Sequence, residues 1–298
     1  MITEPKKFTV LGVPIDSAGR ATGVERLPGA LREAGLVRRL GAEDLGDLPV
    51  AIDDPERDPA TGIIGFESLR VASAEIQSNV AQLLAEGRRP LLLGGDCTLL
   101  IGVAAALKSH FGPAGLAFID GHLDFYDGRS SPTGEAADME LAILNGLGPA
   151  GLIDLGGPPP LVAAEHVVVL GYRDAEQARL DGAPDPAVVF PAITLYDVGA
   201  MRQQGMVKTA GAVATRLAAN PGRFWLHLDF DVLDEVELPA VDYRMPDGLK
   251  WGELATLLLP LARSPALIGA DVTILNPALD PDGEYTGRAV NLLCDVFM

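Results

Sequence analysis

The stretch Phe224-Trp225-Leu226-His227-Leu228-Asp229-Phe230-Asp231 decides how the chain is read. A nearly continuous apolar run leads straight into two acids. Such runs suit strands buried on both faces of a parallel sheet. Residues i and i+2 of an extended segment project to one side, so Asp229 and Asp231 share a face. Like charges placed so are costly in a poorly solvated site, and a divalent cation removes that cost. His227 reads first as a core histidine and only second as a ligand.

Similar runs lie on either side. Phe8–Val13, Pro90–Asp96, Gly115–Asp120, His166–Gly171 and Ala266–Asp271 all read as strands. Segments with helical spacing separate them, at 28–40, 66–86, 99–110, 209–219 and 251–263. Strands alternating with helices predict an α/β fold with crossover connections. No convincing linker interrupts the chain, so residues 1–298 are expected to form one domain. Segments 156–160 and 181–191 read as surface loops. Four runs end in an acid: Asp96, Asp120, Asp229 and Asp271. One such Asp is ordinarily a cap. Four together, with further acids two and four residues on, point to a site outside the carboxyl ends of the strands.

Composition narrows the classes. Hydrophobic residues make up 48% of the 298, ample for a core, which excludes a disordered chain. Acids outnumber bases 41 to 23, for a net charge of −18, so nucleic acid and anionic membranes are unsuitable partners. Two cysteines, Cys97 and Cys294, are too few for a disulfide framework. The segment Met1–Lys7 lacks an apolar signal core, and no apolar run approaches the ~18 residues of a membrane span. The expectation is a soluble cytoplasmic protein.

Two further motifs carry chemistry. Asp120-Gly121-His122-Leu123-Asp124 puts two carboxylates and an imidazole on one side of an extended segment, a ready set of metal ligands. In Gly94-Gly95-Asp96-Cys97-Thr98 the glycines permit a sharp turn and close backbone approach. Cys97 is either a packed thiol or, beside an acidic cluster, a thiolate ligand.

These motifs, in this order, resemble the arginase/agmatinase (ureohydrolase) family, whose usual patterns are Gly-Gly-Asp-His, Asp-Ala-His-x-Asp and Ser-x-Asp-x-Asp-x-x-Asp-Pro. The resemblance extends to Gly12-Val13-Pro14, to Gly23-Val24-Glu25 with Pro28, Ala30, Leu31 and Arg32, to Gly171-Tyr172-Arg173-Asp174, and to Asp271-Val272 with Asn276-Pro277. It implies a three-layer α/β fold with a central, mostly parallel sheet flanked by helices. It also implies two divalent metal ions, foremost manganese, and hydrolysis of a guanidino-type C–N bond by a metal-bridging hydroxide. Carried over, Asp120 and Asp229 would bridge the ions, Cys97 and Asp124 would complete one, and His122 and Asp231 the other. Asp124 would also hold the hydroxide. Asp174 and Glu176 would meet the substrate. A homo-oligomer, trimer or hexamer, acting on a small molecule is the further implication.

The departures shape the functional expectation. Cys97 stands where the family has histidine, and a softer thiolate admits zinc, iron, cobalt or nickel. The segment Ala137-Asp138-Met139-Glu140 replaces His-Gly-x-Pro, so the family's proton-shuttle histidine is missing; either Asp138 or Glu140 relays protons instead, or the leaving group needs no such acid. Ile274 stands where a glutamate grips the guanidinium. Glu235 replaces a proline. The expected enzyme is therefore a metal-dependent hydrolase of a linear amidine or guanidino compound, but not an ordinary arginase or agmatinase. Alternatives are an amide hydrolase of the same fold and a catalytically silent metal-binding relative. Asp280, Asp282 and Glu284 read as a solvated loop.

Overall fold

The computed structural model describes residues 7–298, so most of the Met1–Lys7 segment lies outside the described residues. Eight strands are present: β1 (Phe8–Val13), β2 (Glu43–Asp47), β3 (Arg89–Gly94), β4 (Gly115–Ile119), β5 (Val167–Leu170), β6 (Thr194–Tyr196), β7 (Phe224–Asp229) and β8 (Leu267–Thr273). They form one sheet in the order β2-β1-β3-β8-β7-β4-β5-β6. Every pairing is parallel. Helices cover both faces. One core packs the helices Met206–Ala219, Trp251–Ala262 and Glu284–Phe297 against the sheet, and the other packs Phe66–Ala85 and Leu99–Phe111. Among the described residues no helix is long and apolar enough to cross a membrane.

The six strands expected from apolar runs are present. The two unforeseen ones are the edges. β2 is Glu-Asp-Leu-Gly-Asp, exposed along its length, and β6 has three half-buried residues. Neither carries the apolar signal of a doubly covered strand. Arg32 fastens β2, its Nε donating to Asp44 at 2.9 Å and its Nη1 to Asp47 at 2.5 Å. The helix expected over 28–40 is two helices, Leu27–Glu33 and Leu36–Leu40, parted at Gly35 with φ of 90°. The 181–191 loop contains the short helix Pro186–Val189.

The loop expected around Asp280 is a correction. Asp280 is buried and tethers the start of the final helix, accepting from the Thr286 N–H at 2.8 Å and the Thr286 hydroxyl at 2.7 Å. It does not line the cavity described below. Asp282 and Glu284 are exposed, as expected.

The chain order explains where a site can form. After β3 the chain skips two places to lay down β4, and β7 and β8 later fill the gap. Segments leaving β3 and β4 therefore diverge around the carboxyl ends of β7 and β8, the crevice where α/β sheets bind ligands. At the turn after β3, a Cβ on Gly95 would lie 1.8 Å from the Ile15 carbonyl oxygen, so only glycine lets the two segments touch.

Replacing Asp280 with alanine should remove the tether of the last helix. The expected loss is about 1–2 kcal/mol, in the range of other lost helix-start acceptors. In urea titration it appears as a lower midpoint with an unchanged slope.

Candidate metal centre

Strands β4, β7 and β8 deliver the site. Asp120 follows β4 directly, and Asp229 is the last residue of β7. Cys97 arrives on the turn after β3, which Asp96 ties down by accepting from the Ser17 N–H and the Thr98 hydroxyl. Cys97 donates to Asp229 Oδ2 at 2.6 Å and lies 3.2 Å from the Thr273 hydroxyl. His122 Nδ1 is 3.0 Å from Asp231 Oδ2 and 3.7 Å from Asp120 Oδ1. Asp231 Oδ1 accepts from the Gly121 N–H at 3.1 Å, so this carboxylate also ties its motif to the backbone of the other.

The structure thus brings together the six residues expected to hold metal. Their potential ligand atoms fall into three overlapping groups, each within 4.8 Å: Cys97, Asp120, His227 and Asp229; Asp120, His122 and Asp231; Asp120, Asp124 and Glu140. Asp120 belongs to all three. Two members extend the expected set. Glu140 is fully buried beside Asp124, and neither of its oxygens finds a hydrogen-bond donor. His227 is fully buried between β4 and β8.

Electrostatics make this cluster unusual for a protein interior. Burial and neighbouring carboxylates push Asp124, Glu140 and Asp229 well above the usual carboxylate range. Burial, followed by Asp229, pushes up the Cys97 thiol. Burial opposes the charged form of Asp120 too, yet His122 and His227 hold this carboxyl below the usual range. Burial likewise opposes charge on the two imidazoles, and Asp231 and Asp271 respectively raise them in spite of it. Among the described residues no lysine or arginine pairs with these carboxylates; their ion-pair partners are His122 and His227. Arg173, close by, spends its guanidinium on backbone carbonyls, donating to those of Asp231 at 2.8 Å, Leu233 at 3.0 Å and Pro246 at 3.0 Å. It thereby fixes the loop that carries Asp231. Unpaired buried carboxylates are expensive, and oxygen, nitrogen and sulfur donors converging on one point suit divalent cations. The donor set fits such ions.

Above the cluster lies a cavity of about 820 Å³. Cys97, His122, Asp124, Asp229 and Asp231 form its floor, and Ile274 lines it beside them. Ile274 has φ of 73°, unusual for a β-branched residue, and its N–H donates to the Gly95 carbonyl at 2.8 Å. Asp138 reaches the wall beside Ala137. Its Oδ2 accepts from the Ser131 and Thr133 hydroxyls at 2.7 and 2.8 Å, while buried Oδ1 is unpartnered. Burial raises Asp138 to about 6. Asp174 also lines the cavity, accepts from the Leu123 N–H at 3.0 Å, and is raised by burial to about 6. Glu176 is a different case. It is exposed, bonds Arg179 at 2.7 Å, and does not reach the cavity wall. The outer rim carries Glu135, Tyr243, Arg20 and Arg244.

Sequence comparison agrees with this geometry. The arginase-family model matches residues 6–298. The arginase of Bacillus caldovelox is 30% identical over 300 residues, covering 98% of each chain. That of Brevibacillus brevis is 30% identical over 298 residues, again covering 98% of each. The solved structure of the Bacillus caldovelox arginase superposes with a TM-score of 0.86 at 28% identity, covering 98% of both chains. This chain therefore belongs to the arginase family, and it is a hydrolase acting on a C–N bond.

Burial, together with Asp96 and Asp138, lifts Glu135 to about 7, against the hydrogen bond that Tyr243 donates at 2.9 Å. A carboxyl raised on folding stabilises fully below its unfolded value and loses that contribution as pH rises through its folded value. Glu135→Gln should therefore melt higher than wild type at pH 8, with the gain shrinking toward pH 4. Each kcal/mol recovered amounts to ~2–4 °C in a thermal scan.

Proposed function

We propose that this enzyme holds two divalent metal ions and hydrolyses a small, linear amidine- or guanidino-type substrate other than arginine or agmatine. The observation carrying this reading is the apolar side chain of Ile274 on the cavity wall, where the family resemblance implies a guanidinium-binding glutamate. A carboxylate facing a guanidinium makes paired, charge-assisted hydrogen bonds, each worth about 1.5–3 kcal/mol. Isoleucine offers none, so the reacting end of the substrate is less cationic or more apolar. An amide carbonyl meets the same description, which makes an amide hydrolase the second reading.

In this reading Asp120 and Asp229, shared between the two sets, would hold the ions together with Cys97 and Asp124 on one side and His122 and Asp231 on the other. When bound, such ions supply Lewis acidity and a water activated at neutral pH. The protein's own groups do the rest. Glu140, against Asp124, fixes that carboxylate and accepts or returns a proton there. Asp138, which lines the cavity where the family histidine is absent, is the group to hand a proton to a departing amine. Asp174, also on the cavity wall, orients the substrate, a role for which exposed Glu176 is poorly placed. Ile274 and Met245 add apolar surface to the cavity lining. The small-molecule cavity suits neither nucleic acid nor membrane as partner, and a homo-oligomer remains part of the proposal by family resemblance.

The test is direct. Purified enzyme, stripped with chelator and reloaded with manganese, zinc, iron, cobalt or nickel, is offered guanidino, amidine and amide compounds. Turnover that vanishes on stripping and returns with one ion supports the reading. Efficient urea release from arginine or agmatine defeats the substrate assignment. Asp120→Asn should abolish binding of both ions in elemental analysis; unchanged metal content removes Asp120 from the bridge. Ile274→Glu restores a carboxylate at a position where the β-branched side chain is already conformationally disfavoured. Its expected effect is measurable affinity for simple guanidines by calorimetry, with loss of the native activity.

A further inference from the structure

Two departures from the family pattern sit beside each other in space. At position 97 the family's histidine has become cysteine, and at position 227, where the pattern Ser-x-Asp-x-Asp begins with serine, this chain has histidine. Both residues are fully or almost fully buried, and both belong to one group of four potential ligands with Asp120 and Asp229. The imidazole absent from the turn after β3 is offered from the neighbouring strand β7.

The surroundings of His227 are those of a ligand held in readiness. Its Nδ1 lies 2.5 Å from Asp271 Oδ2, across the β7–β8 register. The other oxygen of Asp271 accepts from the Trp225 indole at 2.5 Å. Trp225, His227 and Asp229 alternate onto one face of β7, opposite Gly269, Asp271 and Thr273 of β8. Gly269 makes room for the indole, since a Cβ there would lie 2.2 Å from the ring. Phe118 stacks on the imidazole with centroids 4.8 Å apart. A carboxylate that accepts from Nδ1 fixes the tautomer and leaves the Nε2 lone pair pointing away. Among the described residues Nε2 finds no hydrogen-bond partner, and neither does Asp120 Oδ2, 3.8 Å away; both atoms are buried. An ion held between them would take the place of the Nε2 proton, and neighbouring ligands on one zinc ion, with bonds of about 2.0–2.3 Å, sit roughly 3.3–3.8 Å apart, which includes the separation found here.

We propose that His227 is a metal ligand through Nε2, joining Cys97, Asp120 and Asp229 around one ion, with Asp271 and Trp225 as its positioning partners. This rests on the metal centre proposed above and alters its composition. A thiolate, an imidazole and two carboxylates form a mixed shell that favours zinc, cobalt or iron over manganese, the hard ion suited to oxygen and imidazole donors. Asp124 is then free to work with Glu140.

X-ray absorption of the cobalt- or zinc-loaded full-length enzyme tests the assignment without reference to turnover. The expected result is one sulfur and imidazole scattering from two histidines, His122 and His227, averaged over the sites. His227→Asn should reduce that imidazole count to one and weaken one ion's binding by more than the about 10–100-fold that an outer partner is worth. Asp271→Asn should weaken the same ion within that range and keep the imidazole. Cys97→Ser should remove the near-ultraviolet thiolate-to-cobalt absorption while retaining the second imidazole. If the wild-type spectrum requires only one histidine, or a folded His227→Asn keeps both affinities, the assignment is wrong while the metal centre stands. If the wild-type enzyme takes up no ion at all, the metal centre itself fails. A His227→Asn protein that does not fold leaves the wild-type spectrum to decide.

Discussion

The constraint on which this molecule turns is electrostatic. Carboxylates at the ends of β4 and β7 are taken out of water together with a thiol, and among the described residues only two imidazoles stand against them. Repulsion of this kind is tolerated when the surroundings over-determine each side chain and a cation completes the set. The fold supplies the first condition. Cross-strand register aligns β7 with β8, backbone N–H groups hold Asp120, Asp229 and Asp231 in place, and Arg173 pins the intervening loop by its carbonyls.

Much of this was legible in the sequence because the central strands are buried on both faces and say so. Six apolar runs locate the middle of the sheet, and acids at their ends locate the crevice. The edge strands escaped because their physics is different: β2 is exposed and acidic, and β6 is too short to show a period. The final helix is a different kind of omission. Thr286, Ala289, Val290, Leu293 and Val296 carry a helical period that was readable, and Asp280 sits where a helix begins.

The site was legible as a list of candidate ligands but not as an arrangement. Asp120, His122, Asp124, Asp229 and Asp231 announce themselves by spacing. Glu140 and His227 do not, because their roles depend on contacts far along the chain. Residue 227 meets 271 only through strand pairing, and 140 meets 124 only after a loop returns. A usable signal existed in two altered motif positions, Cys97 and His227, considered as a pair rather than singly. Glu176 shows the opposite failure: the resemblance implies a substrate contact there, but a helical turn carries its side chain into solvent against Arg179.

The two margins of the sheet also bear on how copies of this chain could meet. An open strand invites another strand to dock, and short length and like charge are the usual deterrents. One margin ends in three residues. The other bears Glu43, Asp44 and Asp47, with Arg32 folded inward over the latter two. Continuation of the hydrogen-bonded ladder from one molecule into the next is discouraged on both sides. Any contact between copies would then draw on helices and loops rather than on the strand margins.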